Sequence, residues 1–248
     1  MSANTHGWLR AIDLGSVAYQ DAYAEQLGWL GRVQNARETP DADLGTAGVV
    51  LLLEHDPPVI TVSRRPDARS HLVATDEMLK AHGVTVEETD RGGDITYHGP
   101  GQLVAYPIVD LNSAGLNLHG YMRLLEGVVI DVCAEFGIVS NRDACATGVW
   151  VGGEESREAD GGPCEPSGNA KICAMGVRVK RWVTMHGLAL NVRTNLDHFG
   201  LIVPCGLAGR TVTSMGQQLG GGCPSMDDVK RSLAGKLASA LESHASRV

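Results

Sequence analysis

The 248-residue chain has no apolar run able to cross a bilayer: the longest, residues 47–53, is interrupted by Gly48. That is far below the roughly 20 residues a spanning helix needs. No charged segment leads into an apolar one near the first residues, so the pattern of a secretory signal is missing. Cysteine is sparse and never closely paired. The six residues Cys133, Cys145, Cys164, Cys173, Cys205 and Cys223 include no C-x-x-C, which fits neither a disulfide scaffold nor a zinc knuckle. Reduced thiols are the default for such a chain. Nine histidines show no zinc-like spacing with them. A net charge of −8 argues against a protein built to neutralise a phosphate backbone, which needs an excess of clustered Lys and Arg. There is no G-x-x-x-x-G-K-[ST] loop, H-E-x-x-H pair or G-x-S-x-G elbow. These absences lead us to expect a soluble, cytoplasmic protein that binds neither nucleic acid nor membrane and uses no metal or cofactor; a monomer is expected, though no absence bears on it.

What is present is ordinary for a globular chain, with 43% hydrophobic and 20% charged residues. The length suits one domain, residues 1–248. Tyr19, Tyr23, Leu27 and Leu30 recur at helical spacing, predicting a helix over 16–37 with Ser16 as N-cap. Residues 49–54 and 59–63 read as strands joined by a turn at His55-Asp56-Pro57-Pro58. A short helix from Thr75 to Gly83 and a strand over 84–89 follow. Residues 103–111 read as a strand in which Pro107 implies an edge position or a bulge. Leu118, Met122, Leu125, Val129, Val132 and Phe136 form the clearest helical stripe, a core face by its period. After a short strand at 148–152, residues 172–179 and 183–192 read as paired strands, and a terminal helix starts at Ser225. Strands and helices alternate irregularly, so the fold class is α/β of the α+β type, a mixed sheet with flanking helices.

Half of the net charge lies in one biased stretch, residues 153–168, where Glu154, Glu155, Glu158, Asp160 and Glu165 face only Arg157. Its glycines and prolines leave little to bury, and it reads as a mobile acidic loop over 153–169.

Three segments could carry chemistry. The first, 91–102, places Gly92, Gly93, Gly99 and Gly101 among Arg91, Asp94, Ile95, Thr96, Tyr97 and His98. Such loops mostly serve backbone geometry, yet glycines also let backbone N–H groups approach a ligand. In the second, Lys171 stands at the mouth of a strand ahead of Ala174-Met175-Gly176. A lysine there is ordinarily a solvated strand end; desolvated, it could serve as a base. Next on the paired strand come His186, read as a hydrogen-bonded wall residue sharing a face with Leu188 and Leu190, then Gly187-Leu188-Ala189. In the third, Pro204-Cys205-Gly206 sets a thiol in a tight turn. Most cysteines are small buried hydrophobes, as Cys133 and Cys173 should be, but the glycine after Cys205 leaves its approach open.

Arg-Gly-Gly-x-x-Thr-Tyr-His-Gly-Pro-Gly-Gln at 91–102, with the Lys171 and Cys205 segments in order behind it, resembles the signature of the lipoyl(octanoyl) transferases. The resemblance implies the fold of lipoate and biotin protein ligases. It implies Cys205 as acyl-thioester nucleophile, Lys171 as its partner, and a substrate pocket from Arg91, Gly92, Gly93, Asp94, Ile95, Thr96, Tyr97, His98, Ala174, Met175, Gly176, Gly187, Leu188 and Ala189. Members of that family usually place only a few residues between the Gly-Val-Trp-Val strand and the lysine, whereas here the acidic loop intervenes.

The implied activity moves an octanoyl group from octanoyl-acyl carrier protein to lipoyl domains of 2-oxoacid dehydrogenases and the glycine cleavage H protein. It needs no ATP, because a thioester is exchanged for a thioester and then for an amide. Acidic partners would call for local basic patches, with Arg64, Arg65, Arg69, Lys180 and Arg181 as candidates. An ATP-dependent lipoate ligase of the same fold and a non-catalytic module that binds an acyl group or carrier protein are the alternatives.

Overall fold

A computed structural model describes residues 4–144, 146–152, 169–203 and 210–246. The chain opens with strands β1 (Asn4–His6) and β2 (Leu9–Val17), then helix α1 (Tyr19–Asn35), β3 (Gly48–His55) and β4 (Val59–Ser63). Helix α2 (Asp76–Ala81), β5 (Thr85–Thr89), β6 (Ile95–His98), β7 (Gln102–Val109) and α3 (Leu118–Glu135) follow. Then come β8 (Ser140–Asn141), β9 (Val149–Val151), β10 (Ala170–Lys180), β11 (Val183–Asn191), β12 (Thr211–Val212), α4 (Met215–Leu219) and α5 (Met226–Ala245). Among the described residues the strands form a mixed sheet in the order β1-β2-β3-β7-β11-β10-β9-β8, with β12 on β10, and a small sheet β5-β4-β6. No helix among them is long and apolar enough to cross a membrane.

The large sheet is covered on both faces, which is why β3 and β7 read as continuous apolar runs. Their side chains alternate: Val50, Leu52, Leu103 and Ala105 join the core under α3 and α5, while Val49, Leu51, Val104 and Tyr106 join the core under α1. The terminal helix starts as its sequence suggests, Ser225 accepting the Asp228 N–H at 3.2 Å, and buries Val229, Leu233, Leu237 and Leu241. The small sheet has its own cluster, including Ile60, Val62, Ile95 and Tyr97.

Three expectations need correction. Ser16 lies in β2, so α1 begins at Tyr19 behind Ala18, and its buried face runs through Ala22, Gln26 and Leu30 while Leu27 is exposed. Helical period alone does not show where a strand hands over to a helix. Pro107 is not at an edge, since β7 lies between β3 and β11. Its ladder to β11 runs only over Gln102–Ala105, and the proline ring is accommodated beside Gly187, where a Cβ would lie 2.6 Å from Pro107 Cδ. His186 has φ +56°, which breaks the period-two alternation. Its ring lies against Tyr23 and Tyr106 rather than with Leu188 and Leu190. The acidic loop at 153–168 lies outside the described residues.

Candidate active site

The glycine-rich stretch is not one loop. Residues 91–94 form a turn, β6 follows, and a second turn at 99–101 leads into β7. The first turn lies on the free edge of β10, where Gly92 N–H donates to Val177 O at 3.0 Å. Glycine is required for that approach: a Cβ on Gly176 would stand 2.5 Å from Gly92 O, and one on Gly187, its cross-strand partner, 2.3 Å from Ala105 O. These backbone contacts leave no room for a side chain. Arg91 staples the turn from beneath. Its half-buried side chain donates to Thr61 O, Thr61 Oγ1, Gly92 O and Asp94 O at 2.9–3.1 Å, and desolvation lowers its pKa.

Between this turn, β10, β11 and the start of α3 lies a cleft of about 530 Å³. It gathers residues from two of the three sequence segments: Arg91 to Thr96 and His98 from the first, and from the second Lys171, Ala174 to Gly176 and, on the paired strand, Gly187 to Ala189. Tyr97 is not brought to it. That residue is 1% exposed in the small-sheet core, its hydroxyl 2.8 Å from His198 Nδ1. Leu118 and Met122, the first members of the helical stripe, line the cleft with Met175 and Leu188 and make one wall apolar.

The opposite wall is polar and tightly wired. His98 Nδ1 lies 2.8 Å from Gln102 Oε1, while Gln102 Nε2 donates to Tyr97 O and Asn191 Oδ1. The amide orientation is thereby fixed, so His98 carries its proton on Nδ1 and keeps Nε2 as an acceptor. Burial, then the neighbouring His55, holds its pKa well below the usual value. His186 Nε2 lies 2.9 Å from Asp90 Oδ1, and burial with Arg91 and Arg178 lowers its pKa to about 3. Asp90 also accepts from Tyr23 and pairs with Arg178. Asp94 lies 2.6 Å from His71, nearly fully buried. Sequence reading did not assign roles to Asp90, Trp150 or Asn191, although Gln102 stood inside the motif.

Lys171 is half-buried on β10 opposite Trp150, with Nζ 4.5 Å from the centre of the indole ring. The same ring receives Arg210 at 4.8 Å, and Arg210 pairs with buried Asp143 at 2.9 Å. Cys205, with Pro204 and Gly206, lies outside the described residues. The flanking chain is placed. Val203 N–H donates to His71 O at 2.8 Å, Arg210 stands on Trp150, and Phe199 and Val212 line the cleft. Val212 pairs with Lys171. The described cysteines, Cys133, Cys173 and Cys223, are buried. Burial pushes the Cys133 thiol up to about 11 and Cys173 above the usual thiol range, which disfavours nucleophilic thiolates there. Of the basic candidates, Arg64, Arg65, Arg69, Lys180 and Arg181 are all exposed, and Arg65 lines the cleft.

The model of the lipoyl protein ligase A/B catalytic domain matches residues 30–238. A Bacteroides fragilis protein named octanoyltransferase is 43% identical over 225 residues, 91% of this chain and 94% of its own length. An octanoyltransferase of Caldicellulosiruptor bescii is 44% identical over 210 residues, 84% of this chain and 80% of its own. Among solved structures, a bi-partite lipoate protein ligase from Thermoplasma acidophilum, studied with its E2 lipoyl domain, superposes with a TM-score of 0.63. That match covers 98% of this chain and 92% of the other at 14% identity, a likeness of fold.

Proposed function

The chain belongs to the lipoyl protein ligase A/B catalytic family and transfers an octanoyl group, and from that premise we propose a donor, an intermediate and an acceptor. The donor is the thioester of octanoyl-acyl carrier protein, the intermediate a thioester on Cys205, and the acceptor the lysine of a lipoyl domain. Lys171 takes the Cys205 proton, the thiolate attacks the octanoyl carbonyl, and the donor's C–S bond breaks as its thiol recovers a proton. In the second half the acceptor amine attacks, an amide N–C bond forms, the Cys205 C–S bond breaks, and the proton lost by the amine passes through Lys171 to the Cys205 sulfur. The apolar wall of Leu118, Met122, Met175 and Leu188 holds the acyl chain. We place the reaction in the cytoplasm, with a monomeric enzyme.

The observation that carries this reading is the meeting of Lys171 and Arg210 on the Trp150 ring: it holds Arg210, five positions after Cys205 in the sequence, beside the only lysine lining the cleft among the described residues. The Thermoplasma ligase studied with a lipoyl domain supports the acceptor class. The test is incubation of the enzyme with octanoyl-acyl carrier protein and a lipoyl domain in the absence of ATP. One octanoyl group should appear on the lipoyl domain by mass. Labelling only from free octanoate plus ATP would instead identify a ligase.

A further inference from the structure

Among the described residues the outer edge of β10 is closed at two places and open between them. At one end Cys173 pairs with Val149 of β9; at the other Val177 O receives the Gly92 N–H at 3.0 Å. In an antiparallel pair successive residues turn their main-chain groups alternately toward one neighbour and the other. Val177 C=O faces away from β11, and so, two residues back, do the N–H and C=O of Met175. Cys173 obeys the same parity, since a Cβ on Gly148 would lie 2.5 Å from Cys173 O. Among the described residues the outward N–H and C=O of Met175 meet no hydrogen-bond partner. Met175 is nevertheless half-buried and lines the cleft.

Unpaired main chain at a strand edge is a template for another extended chain. From Cys173 to Val177 the gap spans about 13 Å of strand, too short for a partner's β-strand and long enough for one amide unit. It lies on the strand that carries Lys171. We propose that the outward N–H and C=O of Met175 bind the secondary amides in the thiol arm of the acyl donor, the N–H donating to the carbonyl of the amide nearer the sulfur and the C=O accepting the N–H of the next amide along the arm. This inference rests on the thioester donor named above. A carboxylic acid activated as an adenylate carries no such arm and would leave the gap unused.

The acylation half-reaction, run without any acceptor and followed by thiol release, isolates the donor. The probes are the octanoyl thioesters of N-acetylcysteamine, which bears one secondary amide, and of ethanethiol, which bears none. Wild-type kcat/KM should favour the amide-bearing thioester about tenfold, the worth of one good hydrogen bond. Met175→Pro removes the outward N–H together with the side chain, tolerable at an edge, and should bring the ratio near one, whereas Met175→Leu, which changes the side chain and keeps the N–H, should keep it. If the proline variant does not fold, the 2-acetoxyethyl thioester, lacking the N–H and offering a weaker acceptor, should lose most of the preference with wild-type protein. No preference in wild-type protein, or a full preference retained by Met175→Pro or by the acetoxyethyl thioester, would overturn the inference. Turnover of neither thioester would overturn the donor reading itself, and this inference with it.

Discussion

Replacing His55 with leucine should make the protein less stable near neutrality and less sensitive to acid. His55 is fully buried, its Nδ1 3.1 Å from Val17 O and its Nε2 2.8 Å from the Tyr106 hydroxyl, with its ring against Tyr19 and His98. The Val17 carbonyl requires a proton on Nδ1, so Nε2 accepts from Tyr106. Burial lowers the pKa from 6.5 to about 4. As pH falls the unfolded chain therefore takes the proton first. The stability present above about pH 6.5 is lost as pH falls through the folded value. At pH 5 the loss from this residue amounts to about 2 kcal/mol, from a linkage of roughly 1.36 kcal/mol per pH unit. At pH 7.5 the leucine variant should be less stable by about 1–3 kcal/mol for each polar group left unpaired. Urea unfolding of both proteins between pH 7.5 and 5 should then show the gap narrowing by about 2 kcal/mol. A constant gap would refute the neutral, wired imidazole beneath the cleft.

Other consequences follow from the same geometry. Gly176→Ala drives a methyl against Gly92 O, and overpacking of this kind costs about 1–3 kcal/mol; a thermal melt should register it and octanoyl transfer should fall at least about tenfold, whereas unchanged values would mean that the turn is not seated on β10. Lys171→Ala should lower the transfer rate by about 10²–10⁴, the usual range for general acid–base groups, and alter its pH profile; an unaltered profile would make Lys171 a bystander. Arg210→Ala removes the ion pair with Asp143, whose side chain is 0% exposed, and should cost about 1.5–3 kcal/mol in urea unfolding, the range for hydrogen bonds to charged groups; a loss within error would mean that the pair contributes nothing to stability.

The parts of the fold legible in sequence were those with a strong period or a sharp punctuation. The α3 stripe, the paired strands before and after Lys180, and the Ser225 cap stand where their patterns put them. Hidden from that reading was anything decided by distant partners. Strand β2 has no clean alternation, and Pro107 sits in a central strand because Gly187, some eighty positions away in sequence, makes room for its ring. The cleft was largely legible because its glycines mark backbone contacts that no other residue permits. Tyr97 misled, since a residue between two cleft-lining neighbours can still point into the core behind them. The Asp90 and Gln102 wiring of the two histidines depends on tertiary approach and leaves no periodic trace.

The central claim is that one thiol carries the octanoyl group between donor and acceptor. Quenching the enzyme in acid after mixing with octanoyl-acyl carrier protein alone, then mapping its peptides by mass, tests it most directly. A single octanoyl adduct is expected, on Cys205, and it should be lost in Cys205→Ser. An adduct on another cysteine, or full transfer activity in Cys205→Ala, would contradict it.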